Sequence, residues 1–185
     1  APWSFPKAES AFPFGNVTAY DTALGWRYPN PRLEKMFPLL SMGETAENVA
    51  ERDKVSRADQ DAFALESHKR AAAATKAGAF KNEIIPIPVT LADGTSAVHD
   101  TDEGIRFDAT LEGIGSVKVL QEGGCVTAAN ASQICDGAAA VMIANERGVK
   151  ALGLKPLARI HQLTVIGDDP VIMLEGPVQI GRAHV

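Results

Sequence analysis

Apolar residues recur at helical spacing early in the chain and then give way to short apolar runs separated by turns. Ala46, Val49 and Ala50 make one apolar face, and Thr45 is the expected N-cap of a short helix ending near Arg52. Ser56-Arg57-Ala58-Asp59 fits a capping box, with Asp59 at the positive end of the helix dipole. Ala58, Ala62, Leu65 and Ala72 then follow at helical spacing, and Gly78 is a natural stop. Residues 83–89, EIIPIPV, read as extended, and their two prolines confine them to an edge or a sheet exit. Residues 92–101 are turn-rich, with Asp93-Gly94 as the tip. A second short helix is expected over 145–152, closed near Gly153. Residues 155–167 read as a long strand with Ala158, Ile160, Leu163 and Val165 facing a core. Helices and strands in alternation predict an α/β layered fold.

The densest run of small residues is 123–144, GGCVTAANASQICDGAAAVMIA. Residues 126–128 read as a short strand, Asp136-Gly137 as a turn, and 138–144 as a buried strand. So little side-chain volume between two apolar runs means close packing on this backbone, by another strand or by a ligand. Both readings stay open on spacing alone. Residues 1–40 differ in character: they hold six of the eleven prolines, both tryptophans and both tyrosines. That composition predicts an ordered, aromatic-pinned loop region, either a contact surface or a cover over the chain's own core.

Composition narrows the classes. The 185 residues are 45% hydrophobic and 22% charged, so a packed core is expected, as one domain or parts of two. A net charge of -5 without a basic run argues against nucleic acid as the main partner. No apolar stretch approaches the ~20 residues of a membrane-spanning helix, so no membrane partner is expected. Two cysteines, Cys125 and Cys135, are too few for a disulfide framework, and a reducing, cytoplasmic setting is expected. Residues 180–185, IGRAHV, match a sequencing adapter read in frame and are read as a non-native tail.

Chemistry is sparse. His68, His99, His161 and His184 are scattered, no Cys/His spacing suits zinc, and no metal is expected. There is no Walker loop, dinucleotide fingerprint or G-x-S-x-G elbow. His68 is expected to be a surface or satisfied histidine. Arg106 is a surface charge or a phosphate clamp, since a guanidinium matches phosphate geometry. Cys125 lies between glycine and a strand, and Asp136 beside Cys135 disfavours a thiolate.

Ser41-Met42-Gly43-Glu44-Thr45-Ala46-Glu47-Asn48-Val49-Ala50-Glu51-Arg52 strongly resembles the thiolases (acetyl-CoA acyltransferases). The likeness continues through Val55-Ser56-Arg57, Gln60-Asp61, Ala77-Gly78 and Glu83-Ile84. It returns at Val126-Thr127-Ala128, Asn130-Ala131-Ser132, Asp136-Gly137-Ala138, Asp169-Pro170 and Gly176-Pro177. The resemblance implies a thiolase-like layered αβαβα fold, incomplete in this chain. Residues 1–82 would be the loop (cover) domain and 83–153 the later part of the N-terminal domain. Residues 154–179 would start the C-terminal domain with its first strand.

It also implies an enzyme that cleaves 3-oxoacyl-CoA with CoA, or runs the reverse Claisen condensation, through a nucleophilic cysteine, a second cysteine and histidines. Those catalytic groups are expected upstream of Ala1 and downstream of Pro177, so no catalytic residue is assigned here and this chain alone is expected to be inactive. Coenzyme A and acyl-CoA would be substrates, with no permanently bound cofactor. The carried-over contacts are Ser132 and Ala128 along the pantetheine, Arg106 near the adenine and phosphate end, Met42 beside the acyl pocket, and Met173 and Leu33 as apolar contacts. Ser41 stands where the biosynthetic type has histidine, and Leu120 replaces an aromatic. The first departure favours a degradative 3-oxoacyl-CoA thiolase, and Gly25-Trp26-Arg27 with Asn30-Pro31 favours the 3-oxoadipyl-CoA kind. A homodimer or homotetramer is expected. The alternative is a non-catalytic, lipid-carrier-related protein that binds acyl-CoA.

Overall fold

The computed structural model describes residues 3–8, 10–12, 14–23 and 25–182. The last three residues of the expected tail therefore lie outside the described residues. The chain divides into two compact units. One comprises Ala1–Gln60, Lys118–Thr127 and Gly167–Val185, the other Asp61–Val117 and Ala128–Ile166.

In the first unit, β1 (Trp3–Ser4) pairs antiparallel with β2 (Tyr20–Asp21), Trp3 lying opposite Asp21. Tyr20 and Tyr28 meet edge to face, their centroids 5.6 Å apart. Asn30 caps α1 (Pro31–Glu34) by accepting the Arg32 N–H, and Pro31 supplies a fixed φ where no donor is needed. Helix α2 (Met42–Asp53) starts one turn earlier than the sequence suggests. Ser41 is its N-cap, in a capping box with Glu44: the Ser41 N–H donates to Glu44 Oε2 at 2.7 Å, and the Glu44 N–H donates to Ser41 Oγ at 3.3 Å. Thr45 is instead buried inside the helix, its hydroxyl donating back to the Ser41 carbonyl. The helix ends where Lys54 turns left-handed at φ 57°. It packs against the turn Met173–Glu175, with Arg52 ion-paired to Glu175, and α6 (Gly176–Arg182) follows that turn.

Helix α3 (Arg57–Lys76) opens on half of the capping box expected from the sequence: the Asp59 N–H donates to Ser56 Oγ at 3.1 Å, but the Asp59 carboxylate accepts the Ser56 hydroxyl at 2.6 Å instead of the Ser56 N–H. Its covered stripe differs from the expected one. Asp61 and Ala72 are buried, and Ala64, Leu65 and His68 half-buried, whereas Ala58 and Ala62 face solvent. The stripe keeps helical period but mixes polar with apolar residues, so apolar spacing alone places it wrongly.

The rest of the second unit carries the hairpin β3 (Ile87–Thr90) and β4 (Ser96–His99), with Asp93-Gly94 at its tip as expected. Gly94 has φ +84°, and the Thr95 N–H donates to Asp93. Thr110 caps α4 (Leu111–Gly115), which buries Ile114. Asn145 caps α5 (Glu146–Leu152), and Gly153 ends it left-handed at φ +61°.

Three expected strands do not form. Residues 126–128 contribute a single antiparallel bridge, Val119 to Thr127. Residues 138–144 and 155–167 show no strand pairing, and their apolar side chains are exposed: Val141 84%, Leu163 84% and Val165 96%. The reason is physical. Apolar, β-branched sequence favours a strand only when a neighbouring strand takes its N–H and C=O groups and another layer covers its face, and here neither is supplied.

Candidate functional site

A cleft of about 740 Å³ lies within the second unit. One wall is the α3 face carrying Ala64, Ser67 and His68; the others are the loop around Arg106 and residues 128–133. Two contacts hold these walls on the helix. The Arg106 backbone N–H donates to His68 Nδ1 at 3.2 Å, and Asn130 Nδ2 donates to Asp61 Oδ1 at 3.0 Å.

Three of the six candidate residues thus come together: Arg106, Ala128 and Ser132 line the same cleft. The Arg106 guanidinium meets no carboxylate, and the Ser132 hydroxyl has no protein partner among the described residues. A half-open cleft with an uncommitted guanidinium, a hydroxyl and amide side chains suits a ligand that is anionic and rich in acceptors. His68 is satisfied, as expected, but its position was not legible. It anchors the backbone of the residue whose guanidinium is available for a ligand.

Leu33 and Met173 come together elsewhere, in an apolar pocket of about 160 Å³ within the first unit. Trp26, Phe37, Leu40 and Thr45 are among its other walls. The indole of Trp26 donates to the Leu40 carbonyl at 2.9 Å, which ties two of those walls together. Met42 lines neither cavity; it opens α2 and is 54% exposed.

The thiols sit apart from both cavities. Cys125 is half-buried, donates its backbone N–H to both Glu47 carboxylate oxygens at 3.0 and 2.9 Å, and places Sγ 3.1 Å from Glu47 Oε2. Burial pushes its pKa up; the Gln60 amide, 3.0 Å from Sγ, works against this, and the Glu47 carboxylate adds to the rise. The Val126 N–H also donates to Glu47, at 2.8 Å. Burial pushes the Glu47 pKa up, but the Cys125 and Val126 N–H groups and the Cys125 thiol together hold it below the ordinary glutamate value. Glu47 has no local sequence signature, because its partners lie 78 and 79 residues away. Cys135 is exposed. Among the described residues no group of three or more His, Cys, Asp or Glu is placed to hold a metal ion, and no described helix is long and apolar enough to cross a membrane.

A family model for the thiolase N-terminal domain matches residues 16–147. The β-ketoadipyl-CoA thiolase of Acinetobacter baylyi is 45% identical over 175 residues, covering 94% of this chain and 43% of that protein. The 3-oxoadipyl-CoA/3-oxo-5,6-dehydrosuberyl-CoA thiolase of Escherichia coli is 43% identical over 183 residues, covering 98% of this chain and 45% of that one. The crystal structure of human mitochondrial 3-ketoacyl-CoA thiolase superposes over 100% of this chain and 47% of its own, with a TM-score of 0.80 at 35% identity. The chain thus spans somewhat under half the length of the relatives it matches, and over that span it has the thiolase fold expected from its sequence. With a family model matching most of its residues, the chain belongs to the thiolase family.

Proposed function

We propose that the protein carrying this chain is an acyl-CoA C-acyltransferase that cleaves 3-oxoacyl-CoA with CoA in the degradative direction. The observation that carries the reading is the cleft of the second unit, where Arg106 and Ser132 offer uncommitted donors on a chain of the thiolase family. Arg106 would hold phosphate, Ser132 would hydrogen-bond the pantetheine, and Ala128 would line its path. Leu33 and Met173 would contact the acyl chain in the apolar pocket, with Met42 beside it. The names of the Acinetobacter baylyi and Escherichia coli relatives support a dicarboxylic substrate, 3-oxoadipyl-CoA in both and also 3-oxo-5,6-dehydrosuberyl-CoA in the second. The acylated cysteine and its acid–base partners belong to parts of the family chain outside these residues. A cytoplasmic homodimer or homotetramer using CoA as substrate, with no permanently bound cofactor, completes the reading.

The test is steady-state thiolysis by the protein encoded in the full reading frame that carries these residues. Arg106→Gln is expected to raise KM for CoA about 10- to 100-fold, as befits a lost charge-assisted contact. Ser132→Ala is expected to raise it about 3- to 10-fold, the scale of one neutral hydrogen bond. Neither should change kcat much, because contacts remote from the reacting atoms bind ground state and transition state alike. A KM for CoA unmoved by both substitutions would remove the cleft from the reading. Tight acyl-CoA binding without any turnover would favour the non-catalytic alternative.

A further inference from the structure

We propose that Arg27 selects acyl chains ending in a carboxylate, an inference that rests on the thiolase reading above. Its side chain is held in place by backbone, not by acid. Nε donates to the Asp21 carbonyl, and Nη1 lies 3.4 Å from the Trp26 carbonyl. The nearby Asp21 carboxylate is turned away to accept the Ala23 N–H at 2.8 Å. No carboxylate pairs with Arg27 among the described residues, although its residue is half-buried.

Gly25 makes this arrangement possible. Its φ is +73°, and a Cβ there would sit 2.9 Å from Arg27 Nη1. Gly25-Trp26-Arg27 is therefore a loop shaped to fold a guanidinium onto its own backbone. Of the five guanidinium N–H groups, two are engaged, which leaves three, enough for a bidentate carboxylate contact. Holding the fork in advance lowers the ordering cost of that contact.

The next residue back, Trp26, is a wall of the apolar pocket with Leu33, Phe37 and Met173. At about 160 Å³ that pocket is close in size to a cavity that takes a benzene ring, the scale of a short acyl chain. An apolar chamber for methylenes, with a wall residue, Trp26, that directly precedes an acid-free guanidinium, carries the recognition chemistry of a dicarboxylic acyl group. A monocarboxylic chain of the same length would leave that cation without a counter-charge.

The experiment compares kcat/KM for 3-oxoadipyl-CoA and 3-oxohexanoyl-CoA, which differ only in a terminal carboxylate against a methyl. The enzyme is the protein from the full reading frame. It is expected to favour 3-oxoadipyl-CoA, and Arg27→Gln to cut the ratio of the two values about 10- to 100-fold. Arg27→Lys, which keeps the charge but loses the fork, is expected to recover part of the ratio. A ratio unmoved by Arg27→Gln, or a starting preference for the methyl-ended chain, would overturn the role of Arg27 and leave the thiolase reading standing. Cleavage of neither substrate would bring down the thiolase reading and this assignment with it.

Discussion

The purified 185-residue chain is expected to show no thiolysis of acetoacetyl-CoA above the uncatalysed background. Acyl transfer of this kind needs a thiolate, and the structure gives Cys125 no means of becoming one. Cys125 is drawn the wrong way: burial raises its pKa, the Glu47 carboxylate raises it further, and the Gln60 amide only partly opposes them. Its Sγ–H is also engaged with Glu47 Oε2. Cys135 is exposed and lines neither cavity. His68 accepts the Arg106 N–H, and His99 lies 3.9 Å from Glu103, so each already has a partner other than a thiol. Enzymes accelerate their reactions by at least about a million-fold, and all of that is expected to be missing. The measurement is loss of acetoacetyl-CoA at pH 8 with and without CoA. Turnover that depends on CoA and vanishes in Cys125→Ala would refute the assignment of Cys125 to packing.

How much of this was legible in the sequence depends on how local each interaction is. The Ser56 cap on the Asp59 N–H, the Asp93-Gly94 tip and the Asn145–Gly153 helix all close within a few residues, and all three form. The cap of α2 was misplaced because Thr45 and Ser41 are both competent caps; Glu44, three residues after Ser41, decides for the earlier one. The strands over 138–144 and 155–167 failed for a different reason. Their apolar pattern describes what a neighbouring strand or layer would bury, and pairing cannot be read from one segment alone. The candidate site was legible through the resemblance. Spacing alone does not join Arg106 to Ser132, and the structure joins them through Asp61 and His68 on α3. Met42 shows the limit, since a residue carried over from a motif need not line either cavity.

Replacing Glu47 is expected to be the most destabilising single change in the first unit. Its carboxylate accepts N–H groups from Cys125 and Val126, and Val126 is 6% exposed. Removing the acceptor takes the Glu47 partner away from both N–H groups, at about 1–3 kcal/mol each where the donor is covered by protein. Water would relieve part of this at Cys125, which is only half-buried. Glu47→Ala is therefore expected to lower the unfolding free energy by about 2–5 kcal/mol in the protein of the full reading frame. Glu47→Gln should fall between, because it keeps one acceptor oxygen but turns an NH₂ group towards a backbone N–H. The pH dependence has a fixed sign. The folded-state pKa of Glu47 is lowered, so its contribution is fully present above the pKa of an unfolded glutamate and is lost as pH falls through the lower folded value. The wild-type protein should thus lose stability on acidification across the carboxylate range more steeply than Glu47→Gln does. Amide exchange gives an independent readout. Cys125 and Val126 should be protected in the wild type and exchange freely in Glu47→Ala, a change a remote loss of packing would not confine to these two amides. Unchanged protection at both positions, with an unchanged unfolding transition, would mean that the carboxylate does not hold this crossing in place.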